Sequence, residues 1–226
     1  MIDYRNFSFS KRNDPSYRHL KLLLYWPIYG LTFLILERGL SLSYHTVHCS
    51  LDDLIPFCEY FLIPYYFWFV FLIGMLLYTL LFDVSCFRKY MTFIILTYSV
   101  TCLIYLIYPT AQELRPVTFA RQNWMTKTVT FLYAFDTNTN VCPSLHVVGS
   151  FAVLFASWHT PRFSTFGWRA FFWIAALLIS ASTVFLKQHS VVDIAAALAL
   201  CIVAYPLVYS KKAIKFWNPT EVRPCE

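Results

Sequence analysis

Six apolar runs divide the chain, and short polar clusters separate them. They cover residues 20–36, 65–82, 90–108, 147–157, 168–186 and 191–209. Each run, with its flanks, is about long enough to cross a bilayer as a helix, which takes roughly 20 residues. The first begins after a polar, basic lead-in and ends at Glu37-Arg38-Gly39; Pro27 within it is a kink that membrane helices tolerate. No small-residue cleavage site follows it, so it reads as a retained first span. A loop over 41–64 carries Asp52, Asp53 and Glu59, residues 83–89 form a tight basic turn, and 109–140 is the longest polar stretch between spans. The turn 161–167 folds the fourth and fifth runs into a hairpin. The chain therefore enters the membrane at His146 and leaves it near His189, which puts both histidines at one membrane face. The pattern predicts an all-α polytopic membrane protein of six transmembrane helices: a lead-in at 1–19, a membrane domain at 20–210 and a tail at 211–226.

Composition agrees with the pattern. Of the 226 residues, 58% are hydrophobic and 13% charged, with mean hydropathy +0.54; a soluble domain carries about 25% charged residues. The net charge of +6 comes from cations at helix ends. No basic run interleaves with exposed aromatics, which excludes nucleic acid as a partner. The 22 Phe and 16 Tyr fit lipid-facing and interfacial belts. Six spans place both termini on one side, and that side holds 13 of the 18 Lys and Arg residues. By the positive-inside rule both termini are then cytoplasmic and the His146/His189 face is extracytoplasmic. The seven cysteines are scattered without metal-cage spacing. Cys49 and Cys58 share a loop in which an oxidising compartment would allow a bridge, although free thiols are the expectation. His45 and His48, with Asp52 and Asp53, read as interfacial residues before they read as a metal site. No metal and no cofactor is expected.

Three polar clusters fall on the outer face. His189 and Asp193 are four residues apart, so a helix places them on one side, one turn from each other. The carboxylate there accepts the imidazole Nδ1–H, fixes the tautomer and leaves Nε2 as a nucleophile or base. Near a membrane boundary such an ionisable pair is costly, and it marks function by default. Pro143-Ser144-Leu145-His146 opens the fourth span, with the proline suited to a first helical turn. Ser144 and the free N–H groups after it make an anion site, and His146 is placed to deliver a proton. Arg115, after the third span, offers a fork for phosphate oxygens. Together they make a nucleophile with its orienter, a proton donor and an anion clamp, the set that metal-free phosphoryl transfer requires.

These clusters resemble, in order and spacing, the three motifs of the type 2 phosphatidic acid phosphatase superfamily: Lys-x6-Arg-Pro, Pro-Ser-Gly-His and Ser-Arg-x5-His-x3-Asp. The resemblance implies a six-span enzyme in which His189 attacks phosphorus and Asp193 orients it. His146 would protonate the leaving oxygen and then activate the incoming water or alcohol, while Arg115 and Ser144 hold the phosphate. Three positions depart from the motifs: Tyr108 stands for the lysine, Leu145 for the glycine and Thr183 for the arginine. Lys187, and at longer reach Lys127, are the candidates to supply the missing phosphate-binding charge. Pro-Ser-Leu-His and the stretch from Thr183 to His189 are most similar to the branch of inositol phosphorylceramide synthases, and sphingomyelin synthases share the His-x3-Asp ending. The implied activity is metal-independent hydrolysis of a lipid phosphate monoester or diphosphate through a phosphohistidine. The implied substrates are a phospholipid or a polyprenyl or sphingolipid phosphate, in contact with membrane lipids. Two alternatives stand beside it: a lipid phosphotransferase of the phosphosphingolipid-synthase type, and a non-catalytic lipid-binding protein. Asp136 lies close to the second cluster in sequence and is a weaker candidate for the site.

Overall fold

A computed structural model describes Tyr4, Ser8, residues 13–40 and residues 43–210. Most of the basic lead-in, the tail at 211–226 and Cys225 lie outside the described residues.

The fold is all-α. Helix α1 (Tyr25–Leu34) is extended by a 3-10 turn (Arg18–Leu24) and a π turn (Ile35–Gly39). There follow α2 (Ser50–Leu54), α3 (Leu62–Phe82), α4 (Val84–Ile107), α5 (Trp124–Phe135), α6 (Leu145–Trp158), α7 (Phe166–Phe185) and α8 (Val191–Tyr209). Among the described residues, five helical stretches are long and apolar enough to cross a membrane: Arg18–Gly39, Glu59–Phe82, Val84–Ile107, Phe166–Phe185 and Val191–Tyr209. The fourth apolar run gives the shorter α6, with 14 residues, about 21 Å at 1.5 Å per residue. Helix α6 is the centre of the bundle, in contact with α3, α4, α7 and α8. Every α6 residue except His146 and Trp158 is buried, so its partners, not lipid, cover its sides.

The helices approach closely at Gly149. A Cβ there would meet the Tyr98 hydroxyl at 2.7 Å, Leu72 at 2.9 Å and Trp68 at 3.0 Å. Only a residue without a side chain lets α6 lie this near α3 and α4.

Two polar stretches are more ordered than their composition suggests. The basic turn expected at 83–89 shrinks to Asp83, whose carboxylate accepts the Cys86 N–H at 3.0 Å and caps α4 directly; such a cap replaces the missing intrahelical partner. The stretch 109–140 contains α5, started by an Asn123/Thr126 capping box. Its inner face seats Val129 and Leu132 against Leu62, Tyr65 and Leu186.

At one end of the bundle the chain is stitched together. Strands β1 (His45–Thr46) and β2 (Thr110–Ala111) pair in parallel, and Ala111 bridges to Thr139. The Thr110 hydroxyl oxygen accepts the N–H groups of Val141 and Cys142 at 3.2 and 3.0 Å. The loops after α1, after α4 and before α6 therefore form one cap over the N-termini of α6 and α8.

Candidate active site

The turn from α7 into α8 sets the first half of the site. Helix α7 ends in a Schellman motif: Lys187 takes a left-handed conformation (φ 53°), its N–H donates to Val184 O at 3.1 Å, and the Gln188 N–H donates to Thr183 O at 2.9 Å. The His189 N–H shares that same Thr183 oxygen at 3.1 Å. Ser190 then caps α8 in a capping box with Asp193. Asp193 Oδ2 accepts the Ser190 N–H and the His189 Nδ1–H, each at 3.0 Å. His189 and Asp193 are both buried.

The second half is the start of α6. Pro143 precedes the helix instead of filling its first turn, and its carbonyl accepts the Tyr105 hydroxyl at 2.6 Å. Ser144 is the N-cap residue; its N–H donates to Asp193 O at 3.2 Å, which ties the two helix starts together. The Ser144 hydroxyl and His146 Nδ1 are buried and bond to nothing among the described residues. The rings of His146 and His189 lie 5.7 Å apart at 66°. Tyr65 and Trp68 flank His146, each at 4.5 Å.

His146 and His189 share a cavity of about 350 Å³. Its walls are mainly aromatic, from α1 (Tyr29, Phe33), α3 (Tyr65, Trp68, Phe69) and α5 (Phe131, Phe135), and its polar lining includes Asp136, Asn140 and Gln188. Phe131 and Phe135 are 72% and 70% exposed, so the cavity opens to the outside of the bundle beside α5.

Of the residues expected at the site, His146, His189, Asp193 and Ser144 come together. Arg115 adjoins them as a brace. Its guanidinium donates to the carbonyls of Tyr133, Asp136 and Thr137 at 3.1, 2.9 and 2.8 Å, and to the side-chain oxygen of Gln188. It also lies over the Tyr133 ring. Burial pulls its pKa down, against the opposing field of Asp136. Lys187 is turned away: the left-handed turn sends its amine to the carbonyl of Asp52 at 2.7 Å, in a separate depression with His48 and Glu113. It does not line the cavity shared by the histidines. Lys127 is exposed on α5. Tyr108 stacks on His45 at 4.2 Å, and the Thr183 hydroxyl folds back onto Ser180 O. His48 pairs with Asp53 at 2.9 Å. Among the described residues no three His, Cys, Asp or Glu side chains gather as a metal cage, and Cys49 and Cys58 are both free thiols.

The PAP2 superfamily model matches residues 89–217, more than half of the chain. The chain belongs to the PAP2 superfamily. No curated protein and no solved structure matches it. Membership supports a lipid phosphatase or phosphotransferase activity in a membrane. The matched residues hold all three polar clusters, while α1, α2 and α3 lie before them.

Four neighbours of the site were given little or no weight in the sequence. Asp136 accepts the Tyr65 hydroxyl at 3.1 Å, and burial raises its carboxyl above the usual range against the field of His189. Glu37 accepts from Thr137 and Asn140. Gln188 Nε2 and Asn140 Oδ1 are buried with no bond among the described residues. Asn140 itself is left-handed (φ 52°), a conformation asparagine tolerates. Sequence position offered two signals: Asp136 lies near the Pro143–His146 cluster, and Gln188 lies directly before His189.

Proposed function

We propose that this protein hydrolyses a phosphate monoester or diphosphate of a membrane lipid through a phosphohistidine on His189, without a metal ion. The observation that carries the reading is the His189 imidazole, held at Nδ1 by buried Asp193 in the cavity it shares with His146. Nδ1–H bonded to a carboxylate leaves the Nε2 lone pair available to phosphorus. In the first step the P–Nε2 bond forms, the bond from phosphorus to the lipid oxygen breaks, and His146 gives that oxygen a proton. Asp193 stabilises the positive charge that develops on His189. In the second step His146 takes a proton from water, whose oxygen attacks phosphorus and releases His189. The Ser144 hydroxyl and the N-terminus of α6 supply donors to the phosphate oxygens. The lipid enters sideways between α1, α3 and α5, where the aromatic wall meets the outside of the bundle. Both termini are assigned to the cytoplasm and the site to the opposite face, on the distribution of Lys and Arg.

A second reading, transfer of the phosphoryl group to a lipid alcohol, is favoured by one feature. The charge that should grip phosphate is sparse, since Arg115 is bound to carbonyls and Lys187 faces away. A phosphodiester donor, with one negative charge, needs less compensation than a monoester.

Phosphate release by purified protein in detergent separates the two readings. The panel is phosphatidic acid, a polyprenyl diphosphate and ceramide phosphate, in excess chelator, beside His189→Ala. Hydrolysis predicts chelator-resistant release that disappears in the variant. Absence of release from all three lipids rejects it and directs the assay to phospholipid donors with alcohol acceptors.

A further inference from the structure

The start of α8 is held by a carboxylate from a distant part of the chain. Asp52, on α2, is 1% exposed. Its Oδ1 accepts the Val191 N–H at 2.8 Å, and its Oδ2 accepts the Ser190 hydroxyl at 2.6 Å and the Cys49 N–H at 2.9 Å. Its own carbonyl accepts the Lys187 amine. Burial acts to raise its pKa, but the bonds from Ser190, Val191 and Cys49 outweigh it and hold the carboxyl below the usual range, so it stays anionic. An anion at a helix N-terminus meets unpaired N–H groups and the positive end of the helix dipole.

Ser190 is gripped from both sides. Asp52 takes its hydroxyl, and Asp193 takes its N–H with the same oxygen that holds His189 Nδ1. Lys187 and Val191, which bracket the segment Gln188–Ser190, are likewise bonded to Asp52. The Asp52 carboxylate thus holds the chain just after His189 at two points, Ser190 and Val191, while its main-chain carbonyl holds the Lys187 side chain before it. That residue lies outside the stretch matched by the superfamily model.

We propose that Asp52 is a positioning residue for the His189–Asp193 pair, acting through Ser190 and the first turn of α8. The inference rests on the reading of His189 as the nucleophile. Asp52 touches no reacting atom. It sets the angle at which the imidazole is presented, so its loss should lower kcat and leave lipid binding in the aromatic cavity unchanged. Outer partners that orient metal-ligating histidines are worth roughly 10- to 100-fold when removed, and a loss on that scale is expected for a residue that orients this one.

The test compares wild type, Asp52→Ala, Asp52→Asn and Ser190→Ala in detergent on the best lipid phosphate, with Leu54→Ala as a control on the exposed side of α2. The expected result is a drop of about 10- to 100-fold in kcat for Asp52→Ala, with KM within about twofold. Asp52→Asn, which keeps one acceptor oxygen, should recover part of the loss. The double variant of Asp52→Ala and Ser190→Ala should lose less than the product of the single losses, because the two act along one path. An unchanged kcat, a change confined to KM, or independent losses in the double variant would overturn the proposal.

A second readout needs no turnover. In histidine-labelled protein, the His189 Nδ1–H bound to a carboxylate should give a low-field proton resonance that is absent in His189→Ala. Asp52→Ala should move or broaden it, and Asp52→Asn should restore it. A resonance identical in wild type and Asp52→Ala refutes the positioning role even if no lipid is turned over. If wild type fails on every lipid while the resonance responds to Asp52, the catalytic reading fails and the positioning stands.

Discussion

The guanidinium of Arg115 donates to the side-chain oxygen of Gln188, the residue directly before His189. The same guanidinium binds three carbonyls of the segment 133–137, so one side chain joins the end of α5 to the turn that carries His189. Arg115→Ala would leave these carbonyls without a donor. A charged hydrogen bond is worth about 1.5–3 kcal/mol and a buried unpaired acceptor costs about 1–3 kcal/mol, so a stability loss of roughly 2–3 kcal/mol is expected. Arg115→Lys should rescue little of it, since an ammonium lacks the planar fork. Denaturation in detergent measures both. A lysine variant as stable as wild type would show that the charge, and not the fork, is what matters.

Asp193→Asn keeps the shape of the site and removes the anion that fixes the His189 tautomer. In a serine protease the corresponding change at the orienting aspartate lowers kcat about 10⁴-fold. On the proposed reading Asp193→Asn should lower kcat by ~10³–10⁴-fold, with little change in KM. Initial rates across substrate concentration check this, and a loss confined to KM would contradict it.

Gly149→Ala adds one methyl where the nearest atoms already lie 2.7–3.0 Å from its position. Overpacking of this kind costs about 1–3 kcal/mol. The contacts belong to Tyr98, Leu72 and Trp68, and the last of these also flanks His146. The melting temperature should fall, and activity should fall with it. An unshifted melting curve would mean that α6 can move away from α3 and α4 without cost.

Burial raises the Asp136 carboxyl above its unfolded value. In the window between the two values the folded protein holds a proton that the unfolded chain has lost, so stability declines as pH rises through it. The contribution is fully present below the ordinary carboxylate value, about pH 4, and is lost once the pH passes the folded value. Asp136→Asn removes the titration. Melting curves across pH should show wild type losing stability relative to the variant as pH increases from about 4. Parallel pH profiles would show that Asp136 does not titrate in this way.

Much of this protein can be read along the chain, because the bilayer imposes constraints that are local. A span must be apolar over its whole length, so runs such as 65–82 and 191–209 announce themselves. The four-residue spacing of His189 and Asp193 also announced a contact, and it forms at 3.0 Å, although His189 lies in the turn before α8 and meets Asp193 at the helix's N-terminal cap instead of along one helical face. The spacing of the three clusters was enough to suggest the superfamily. Helix α6 was less legible: its 14 residues are too few to span alone, and its central place comes from the four helices that enclose it. Helix α5 was hidden in a polar stretch, because its stability comes from a capping box and from seating Val129 and Leu132 on other elements.

Charge is where the fold adds most to the sequence. Lys187 sits two residues from His189 and reads as a phosphate ligand, yet a left-handed turn aims it at Asp52. Arg115 occupies the motif position, yet its bonds go to carbonyls that lie 18 to 22 residues along the chain. The sequence by itself determined the all-α membrane character, the superfamily and the His189–Asp193 pair, since each depends on composition or on spacing within one segment. Only the tertiary structure decided that His146 faces His189, that Asp52 grips the start of α8 and that Lys187 turns away. Those outcomes depend on where separate segments meet and which way a backbone turn throws a side chain, and neither is encoded in local spacing.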